Sequence, residues 1–488
     1  MDRSQQTRNG LLYMIPVFVT GIVPLLTLPI LTRYLTPADY GVLALAQIWA
    51  FTIQGVAQFG LNAAYNRNFF KYRVDKNKTG SLLFSVVLFT LFSSSFFVLF
   101  TYFFGGYVSQ LMIGSSKHAL LVTLALCASV LTQINVLFLS YLRNSENVKS
   151  YVVNAICISI LTALASVCLV VFYDFGIIGL VYAQLFTAIV FFILFFIMTL
   201  RVFSFGLDSK LLLEALKIGY PLTAKPALSI LNQHFDKYMI GLLNTVGGVG
   251  VYSIAQSISL ITFKISTAIQ NVYSPQVYKK IFDHPETAGK DIGLYLIPFL
   301  YLSILPCVLL AEFCEEIVLL LLPESYHLAI MIIPVLTMYY GLMFFGKVSP
   351  IQLMYAKKSG LMVWLMLLGI ALNIGINIPF INLWGAVGAA WATLIASMVS
   401  GVIIFMVAQK YYLIAWEYNK LFLIVFSFLA IAVISNTIYF LEVEYWLRLT
   451  EKVLATAVYL FIGTKIGVLT KGNMLLLWRG LSYRNSKN

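Results

Sequence analysis

Fourteen apolar stretches of about 20 to 28 residues each follow one another along this chain of 488 residues. An α-helix rises about 1.5 Å per residue, so each stretch is long enough to cross a hydrocarbon core roughly 30 Å thick. Only 10% of the residues are charged, whereas a soluble domain carries about 25%. The sequence therefore predicts an all-α, polytopic membrane protein with about 14 transmembrane helices. The predicted spans are 11–32, 42–66, 80–104, 118–142, 151–173, 177–200, 217–243, 249–273, 293–322, 328–356, 360–381, 385–408, 421–441 and 452–470.

The net charge of +13 reflects an uneven distribution of basic residues between the loops. One alternate set of loops, together with both termini, holds 23 Lys and Arg, and the opposite set holds four. This bias is typical of the positive-inside rule, so we expect both termini in the cytoplasm and no nucleic-acid partner. The five cysteines form no CxxC pair, so the sequence predicts neither a disulfide framework nor a metal site. It offers no nucleophile–base constellation either, and we expect no cofactor and no enzymatic activity.

The chain repeats itself at a shift of 209 residues. YGVLALAQI (40–48) falls on VGVYSIAQS (249–257), and GIIGLVYAQL (176–185) falls on GAVGAAWATL (385–394). One ungapped offset spans six predicted helices, an even number, so the halves share their orientation and are expected to be related by an axis along the membrane normal. We predict an N-lobe over 1–205, a C-lobe over 206–412, and two additional helices with a cytoplasmic tail over 413–488.

Three lysines lie deep within predicted spans, towards the end expected to face the cytoplasm. Lys225 lies roughly 12 Å from that end of its helix, and Lys264 and Lys347 roughly 14 Å from theirs. They predict a cationic pocket for a pyrophosphate or an acidic sugar; alternatively, each lysine snorkels separately to the interface. The 209-residue shift places Pro16, Gly55 and Phe138 at the corresponding positions. The cationic character therefore belongs to the second half alone.

A stripe of side-chain amides follows span 42–66 at spacings of 7, 4, 4 and 4 residues, which predicts one helical face. Amides suit sugar hydroxyls, but they also serve interhelical hydrogen bonds. The stripe comprises Gln47, Gln54, Gln58, Asn62 and Asn66, and the repeat partner of this span carries Gln256 and Gln270. We expect Gln54, Gln58, Asn62, Gln256 and Gln270 to face a glycan, although Gln256, like Gln47, also suits a structural role because both halves keep this glutamine.

Other polar residues are candidates for a gate or an ion pair. Asp236 and Lys237 are adjacent within span 217–243, and Arg33 follows the first span. Thr36, Pro37 and Asp39 are spaced as a helical N-cap, N1 and N3, which predicts a capping box. Three glutamates near the outer end of span 293–322, Glu312, Glu315 and Glu316, are expected to lie at the membrane rim.

Three stretches resemble one family. LPILTRYLTPADYGVLALAQ (28–47), FDKYMIGLLNTVGGVGVYSIAQSI (235–258) and IVLLLLPESYHLAIMIIPVL (317–336) are similar to stretches of the polysaccharide repeat-unit flippases, the Wzx type within the MOP superfamily. A glycine is usual in the third stretch where Pro323 stands here. The resemblance implies two six-helix lobes around a cavity and a flippase that moves undecaprenyl-pyrophosphate-linked oligosaccharides to the outer leaflet by alternating access. It carries Arg33, Asp39 and Asp236 over as family-type positions, and it does not fix the lysines.

We therefore predict a flippase of the bacterial inner membrane for surface polysaccharides such as O-antigen or exopolysaccharide. Its expected partners are the lipid bilayer, a polyprenyl-pyrophosphate-linked glycan and, as a further candidate, a polysaccharide polymerase complex. A MATE-type drug exporter of the same architecture is one alternative, but cationic drugs call for cavity carboxylates rather than lysines. A membrane polysaccharide polymerase or glycosyltransferase is another, but the sequence shows no sizeable extramembrane loop.

Overall fold

The computed structural model describes residues 3–200, 202, 207–283 and 286–468, and within these ranges the chain is helical with no β-strand. This confirms the prediction of an all-α membrane protein. The α-helices are α1 Arg3–Leu31, α2 Pro37–Ala57, α3 Leu61–Tyr72, α4 Lys76–Phe103, α5 Gly105–Ile113, α6 Ala119–Asn144, α7 Val148–Val167, α8 Gly176–Thr199, α9 Ser209–Gly219, α10 Ala224–Leu243, α11 Val246–Asp283, α12 Ala288–Glu312, α13 Cys314–Leu321, α14 Ala329–Tyr355, α15 Ser359–Tyr411, α16 Tyr418–Phe440 and α17 Tyr445–Lys465.

The fourteen predicted spans each coincide with helix. Ten helices among the described residues are long and apolar enough to cross a membrane. One of them, α15, is interrupted at Gly385 (φ 57°, ψ −131°), a conformation that favours glycine, and the break separates the predicted spans 360–381 and 385–408. The three remaining predicted spans fall on α1, α10 and α17.

The second predicted span is not one continuous helix. α2 ends at Ala57 with Gln58 as its C-cap, and α3 begins at Leu61. Between them the backbone takes positive φ values at Phe59 (48°) and Gly60 (64°). The prediction of a single amide face over 42–66 is therefore wrong beyond Ala57, because the left-handed residues turn α3 out of the helical register of α2.

The start of α2 is fixed locally, as its sequence predicts. Thr36 Oγ1 accepts a hydrogen bond from the Asp39 backbone N–H (3.3 Å), and Asp39 Oδ2 accepts one from the Thr36 backbone N–H (2.8 Å). Pro37 occupies the first helical position, where its missing N–H costs nothing. This confirms the predicted capping box, which satisfies two backbone donors at the helix entrance.

Packing divides the chain into two compact units, 1–253 with 321–325, and 254–320 with 326–488. In the first unit α6 packs against α2, α4 and α8, α1 packs against α7, and α10 lies on α2. The helix α11 passes from the first unit into the second at residues 253 and 254. These units describe packing, whereas the lobes predicted over 1–205 and 206–412 describe duplication and stay a prediction.

Two glycines that correspond under the 209-residue shift meet within the first unit. A Cβ added to Gly41 would overlap the backbone carbonyl oxygen of Val246, and one added to Gly250 would overlap that of Pro37. Pro37 and Val246 also correspond under the shift, so the two contacts are equivalent: in each, the glycine of one helix meets the carbonyl of the first residue of the other helix. The first turns of α2 and α11 thus cross backbone against backbone, which only residues without a side chain allow.

In the second unit α14 packs along α15 and α12, and α16 lies against both α12 and α14. The last helix, α17, joins this unit through α16 and α12. The rings of Tyr301 on α12 and Tyr459 on α17 stack 5.0 Å apart, and the Tyr301 hydroxyl donates to the Tyr459 carbonyl (3.1 Å). The two additional C-terminal helices are therefore part of the packed second unit.

Candidate anion-binding site

Among the residues that the structure describes, Lys347 on α14 contacts two hydroxyls and an aromatic ring. Its ammonium donates to Ser266 Oγ (3.1 Å) and Thr267 Oγ1 (3.0 Å) on α11, and it lies 4.6 Å from the centre of the Phe263 ring. The side chain is half-buried, and no carboxylate of the described residues pairs with it. Hydroxyls and a ring face orient an ammonium without cancelling its charge, so Lys347 is a candidate contact for an anion.

Lys264 lies on the same stretch of α11. It is half-buried and lies three positions before Thr267, so these two side chains are neighbours on the helix with their Cβ atoms about 5–6 Å apart. The Thr267 hydroxyl in turn contacts Lys347. The second unit therefore places Lys264 on the segment of α11 that also contacts Lys347.

The third predicted member of the pocket, Lys225, belongs to α10, but its side chain lies outside the described residues. The three-lysine pocket therefore stays a prediction.

The equivalent position in the first half has a different chemistry. Phe138, which corresponds to Lys347 under the repeat, is fully buried and stacks on Phe195 with ring centres 5.6 Å apart. An aromatic core contact thus stands where the second half has an ammonium among hydroxyls.

The amides predicted to face a glycan fall in several environments. Gln54 on α2 and Gln270 on α11 are half-buried, whereas Gln256 is buried. Gln58 is buried at the end of α2, and its Nε2 has no hydrogen-bond partner among the described residues. Asn62 instead joins a local network, where its carbonyl accepts from Asn66 Nδ2 (2.9 Å).

Two adjacent charged residues of α10 are buried in the first unit. Asp236 is buried and accepts a hydrogen bond from the Tyr252 hydroxyl of α11 (3.0 Å), and Lys237 beside it is buried as well. The His234 ring lies 6.1 Å from that of Phe51 on α2. Arg33 is exposed in the turn after α1. The assignment of Arg33, Asp236 and Lys237 to a gate or an ion pair stays a prediction.

Sequence reasoning missed a buried charge cluster in the second unit. Glu312 and Glu315, expected at the rim, are buried, and Glu315 pairs with Arg448 (2.8 Å) and Lys452 (2.6 Å) of α17. The partners lie more than 130 residues apart in sequence, so only the docking of α17 shows that they meet. An EE pair in one helix and an R-x-x-x-K spacing in another were the available signal. Among the described residues no His, Cys, Asp and Glu group is arranged to hold a metal.

Solved structures similar to the chain share one architecture. The lipid II flippase MurJ in an inward closed conformation matches 93% of this chain and 99% of its own, with a TM-score of 0.70 and 17% identity. A multidrug resistance MATE family transporter of the MOP superfamily, inward-facing, matches 81% and 94% (TM-score 0.57, 17% identity). A MOP superfamily transporter from Pyrococcus furiosus, described as having a binding pocket of reverse polarity, matches 83% and 94% (TM-score 0.58, 16% identity). The fold is therefore that of the MOP superfamily.

The family follows from the sequence itself. The model of the polysaccharide biosynthesis protein family matches residues 6–279, more than half of the chain, and the chain belongs to that family. No curated protein sequence matches it significantly. The resemblance to the polysaccharide repeat-unit flippases is thus confirmed at the level of the family, and the chain shares its fold with transporters of the MOP superfamily.

Proposed function

We propose that the protein flips undecaprenyl-pyrophosphate-linked oligosaccharide repeat units from the cytoplasmic to the outer leaflet of a bacterial inner membrane, with both termini in the cytoplasm. The observation that carries the proposal is the environment of Lys347, whose ammonium is held by two hydroxyls and a ring and by no carboxylate of the described residues. An unpaired ammonium would repel the cationic substrate of a drug exporter, whereas it can form charge-assisted hydrogen bonds with a diphosphate.

Lys264 and Lys347 have the role of holding the anionic headgroup. Burial removes water from an ammonium, which costs free energy unless the charge is paired. A bound diphosphate would offset this desolvation cost. The hydroxyls of Ser266 and Thr267 keep the Lys347 side chain extended towards α11. Positioning of this kind reduces the conformational entropy that the lysine would lose on binding.

The half-buried amides of Gln54 and Gln270 suit the sugar part of the substrate, because an amide both donates to and accepts from hydroxyl groups. Lys225 is proposed as a third headgroup contact. Transport, rather than chemistry on the glycan, agrees with the transporter architecture of the similar structures. A polysaccharide polymerase is a proposed partner that would consume the flipped units.

Native mass spectrometry of the gently purified full-length protein tests the proposal. We expect a co-purifying polyprenyl-pyrophosphate glycan on the wild type, and its loss from a Lys264→Gln/Lys347→Gln variant. Lys279→Gln is the matched control, because Lys279 is an exposed lysine on the same helix α11. A single Lys225→Gln variant tests the third lysine separately.

Two outcomes would contradict different parts of the proposal. A glycan retained by the folded double variant would leave the flippase standing and remove the lysine site. A protein that carries no polyprenyl lipid and is stabilised by organic cations would be an exporter of drugs instead.

A further inference from the structure

The last residue of α12, Glu312, is a fully buried acid. Its exposure is 0%, and neither carboxylate oxygen has a hydrogen-bond partner among the described residues. An ionised carboxylate in such a place has lost its water and gained nothing in return, which is among the most expensive arrangements in a protein.

The bases nearest to Glu312 already have other acids as partners. Lys452, 3% exposed, donates to Glu315 Oε2 (2.6 Å) and to Glu316 Oε1 (2.8 Å), and Arg448 Nη2 donates to Glu315 Oε1 (2.8 Å). These pairs connect α13 to α17. Glu312 lies beside this network without a hydrogen bond to either base.

A small cavity of about 10 Å³ joins Glu312 to the rest of the cluster, which is close to the space of one water molecule. Besides Glu312 on α12, the described residues that line this cavity or act on Glu312 electrostatically belong to four helices. α13 contributes Cys314, Glu315 and Glu316, α16 contributes Tyr439, α17 contributes Arg448, Glu451 and Lys452, and α14 contributes only the non-titratable Ile330 and Pro334.

Two counts show what this cluster lacks. Four carboxyl groups (Glu312, Glu315, Glu316, Glu451) face two bases, so full ionisation leaves a net charge of 2 − 4 = −2. Among its buried polar atoms without a partner, five are acceptors and one, Arg448 Nε, is a donor. The acceptors are Glu312 Oε1 and Oε2, Glu316 Oε2, Glu451 Oε2 and Asn436 Oδ1. The cluster is short of positive charge and of hydrogen-bond donors at once.

We propose that Glu312 is a proton-binding site at the junction of α12 with the C-terminal helices α16 and α17. A proton on Glu312 removes one negative charge and turns an orphaned acceptor into an O–H donor. Asn436 Oδ1 and Glu451 Oε2 belong to residues that line the same cavity, and neither has a donor among the described residues. One proton therefore reduces both deficits, since it halves the excess negative charge and supplies one donor.

A proton fits this site better than a metal ion. The His, Cys, Asp and Glu side chains that the structure describes form no group arranged to hold a metal. The site also lies where α17 docks, so gain and loss of the proton change the charge that faces Glu451 and the bases of α17. Proton binding is thereby linked to how firmly the C-terminal helices are held. This link does not depend on what the protein transports.

Infrared difference spectroscopy of the purified full-length protein, titrated with pH, tests the proposal. We expect the carbonyl stretch of a protonated, buried carboxyl group at neutral pH in the wild type and in Glu324→Gln, the control at an exposed glutamate. The band should be missing from Glu312→Gln, whose neutral amide matches the protonated acid in shape. A wild type without such a band at neutral pH, or a band that persists in Glu312→Gln, would overturn the proposal. If Glu312→Gln does not fold, the absence of the band from the wild type would still overturn the proposal.

Thermal unfolding at several pH values separates a proton from a sodium ion. The folded wild type holds a proton that the unfolded chain releases near neutral pH, so its unfolding midpoint should fall as the pH rises, and Glu312→Gln should lose this slope. Replacing choline chloride by sodium chloride should leave both midpoints unchanged. A sodium-dependent rise in the wild type that disappears in Glu312→Gln would show a sodium site instead.

Discussion

Lys347 and Lys452 are two lysines of the same packed unit with opposite surroundings. Lys347 contacts two hydroxyls and a phenyl ring. Lys452 contacts the carboxylates of Glu315 and Glu316. The charge of Lys452 is cancelled within the fold, whereas that of Lys347 is only oriented. The difference teaches that burial of a lysine does not by itself indicate a binding site; the charge of its neighbours does.

The largest effect is expected from Lys452→Met. Removing the ammonium leaves the buried Glu315 with one base, Arg448, and takes away the base that pairs with the half-buried Glu316. Breaking a buried pair of this kind costs about 3–5 kcal/mol. Chemical or thermal unfolding of the purified protein measures the loss. Lys279→Met, at an exposed position, is the control. Unchanged stability of Lys452→Met would remove the structural half of the comparison.

A double-mutant cycle sharpens that result. Glu315→Leu with Lys452→Met removes both partners of one pair, so the double variant should be more stable than the sum of the two single losses predicts, by about 0.5–3 kcal/mol. The same unfolding measurement on the four proteins gives the coupling. Simple additivity would show that the 2.6 Å contact contributes no pairwise stability.

For Lys347→Met the comparison predicts the reverse pattern. The fold should lose no more than about 1 kcal/mol, because the methionine keeps the contact with the Phe263 ring and the hydroxyls lose one charged partner. Affinity for a diphosphate-bearing lipid should fall about tenfold or more, since one charge-assisted hydrogen bond is lost. Titration of vesicle-borne or detergent-solubilised lipid in the wild type and in Lys279→Met provides the reference. If Lys347→Met were strongly destabilised and kept its affinity, Lys347 would have a structural role like that of Lys452, and the comparison would fail.

The smallest effect belongs to a third lysine, which pairs with an acid at the surface. Lys71 on α3 and the Tyr72 hydroxyl both donate to Glu214 on α9, at 2.7 and 2.6 Å, and the Lys71 side chain is 52% exposed. These hydrogen bonds lower the pKa of Glu214. Its contribution to stability is therefore complete above the usual glutamate range and is lost as the pH falls through the lowered pKa. Because water screens exposed pairs, the unfolding midpoint should change little.

Glu214→Gln tests this. Its midpoint should lie slightly below that of the wild type at neutral pH and converge with it in acid. A gap as large as that of Lys452→Met would show that exposure does not weaken the pair.

Much of the fold follows from local sequence signals. Apolar length placed all fourteen spans, and the T-P-x-D spacing placed the start of α2 with its capping box. What escaped prediction depends on conformations or contacts that local patterns do not encode. Hydropathy continues smoothly through Phe59, although the backbone turns there.

The candidate anion-binding site was predicted only in part, again because local patterns do not encode contacts between distant segments. Depth along a helix identified Lys264 and Lys347 as unusual, and the structure shows both half-buried, with Lys347 bound to a hydroxyl of the helix that carries Lys264. Depth alone did not separate acids that lie at a rim from acids that lie in a core. Glu315 is buried where α17 brings Arg448 and Lys452 to it. No sequence pattern within 293–322 predicts that α17 packs there.

The exchange of contacts between Gly41 and Gly250 bears on how the molecule arose. In a homodimer of two parallel six-helix chains, a contact across the two-fold axis is isologous, so a single glycine and a single carbonyl would have served both partners. In a chain that arose from such a dimer by duplication and fusion, the same contact would be encoded twice, here at positions 209 residues apart. Each copy would be free to mutate alone, yet the geometry of the crossing restricts both positions to glycine. Other corresponding positions differ, as Phe138 and Lys347 do, so this crossing is a place where the predicted repeat keeps its two-fold symmetry.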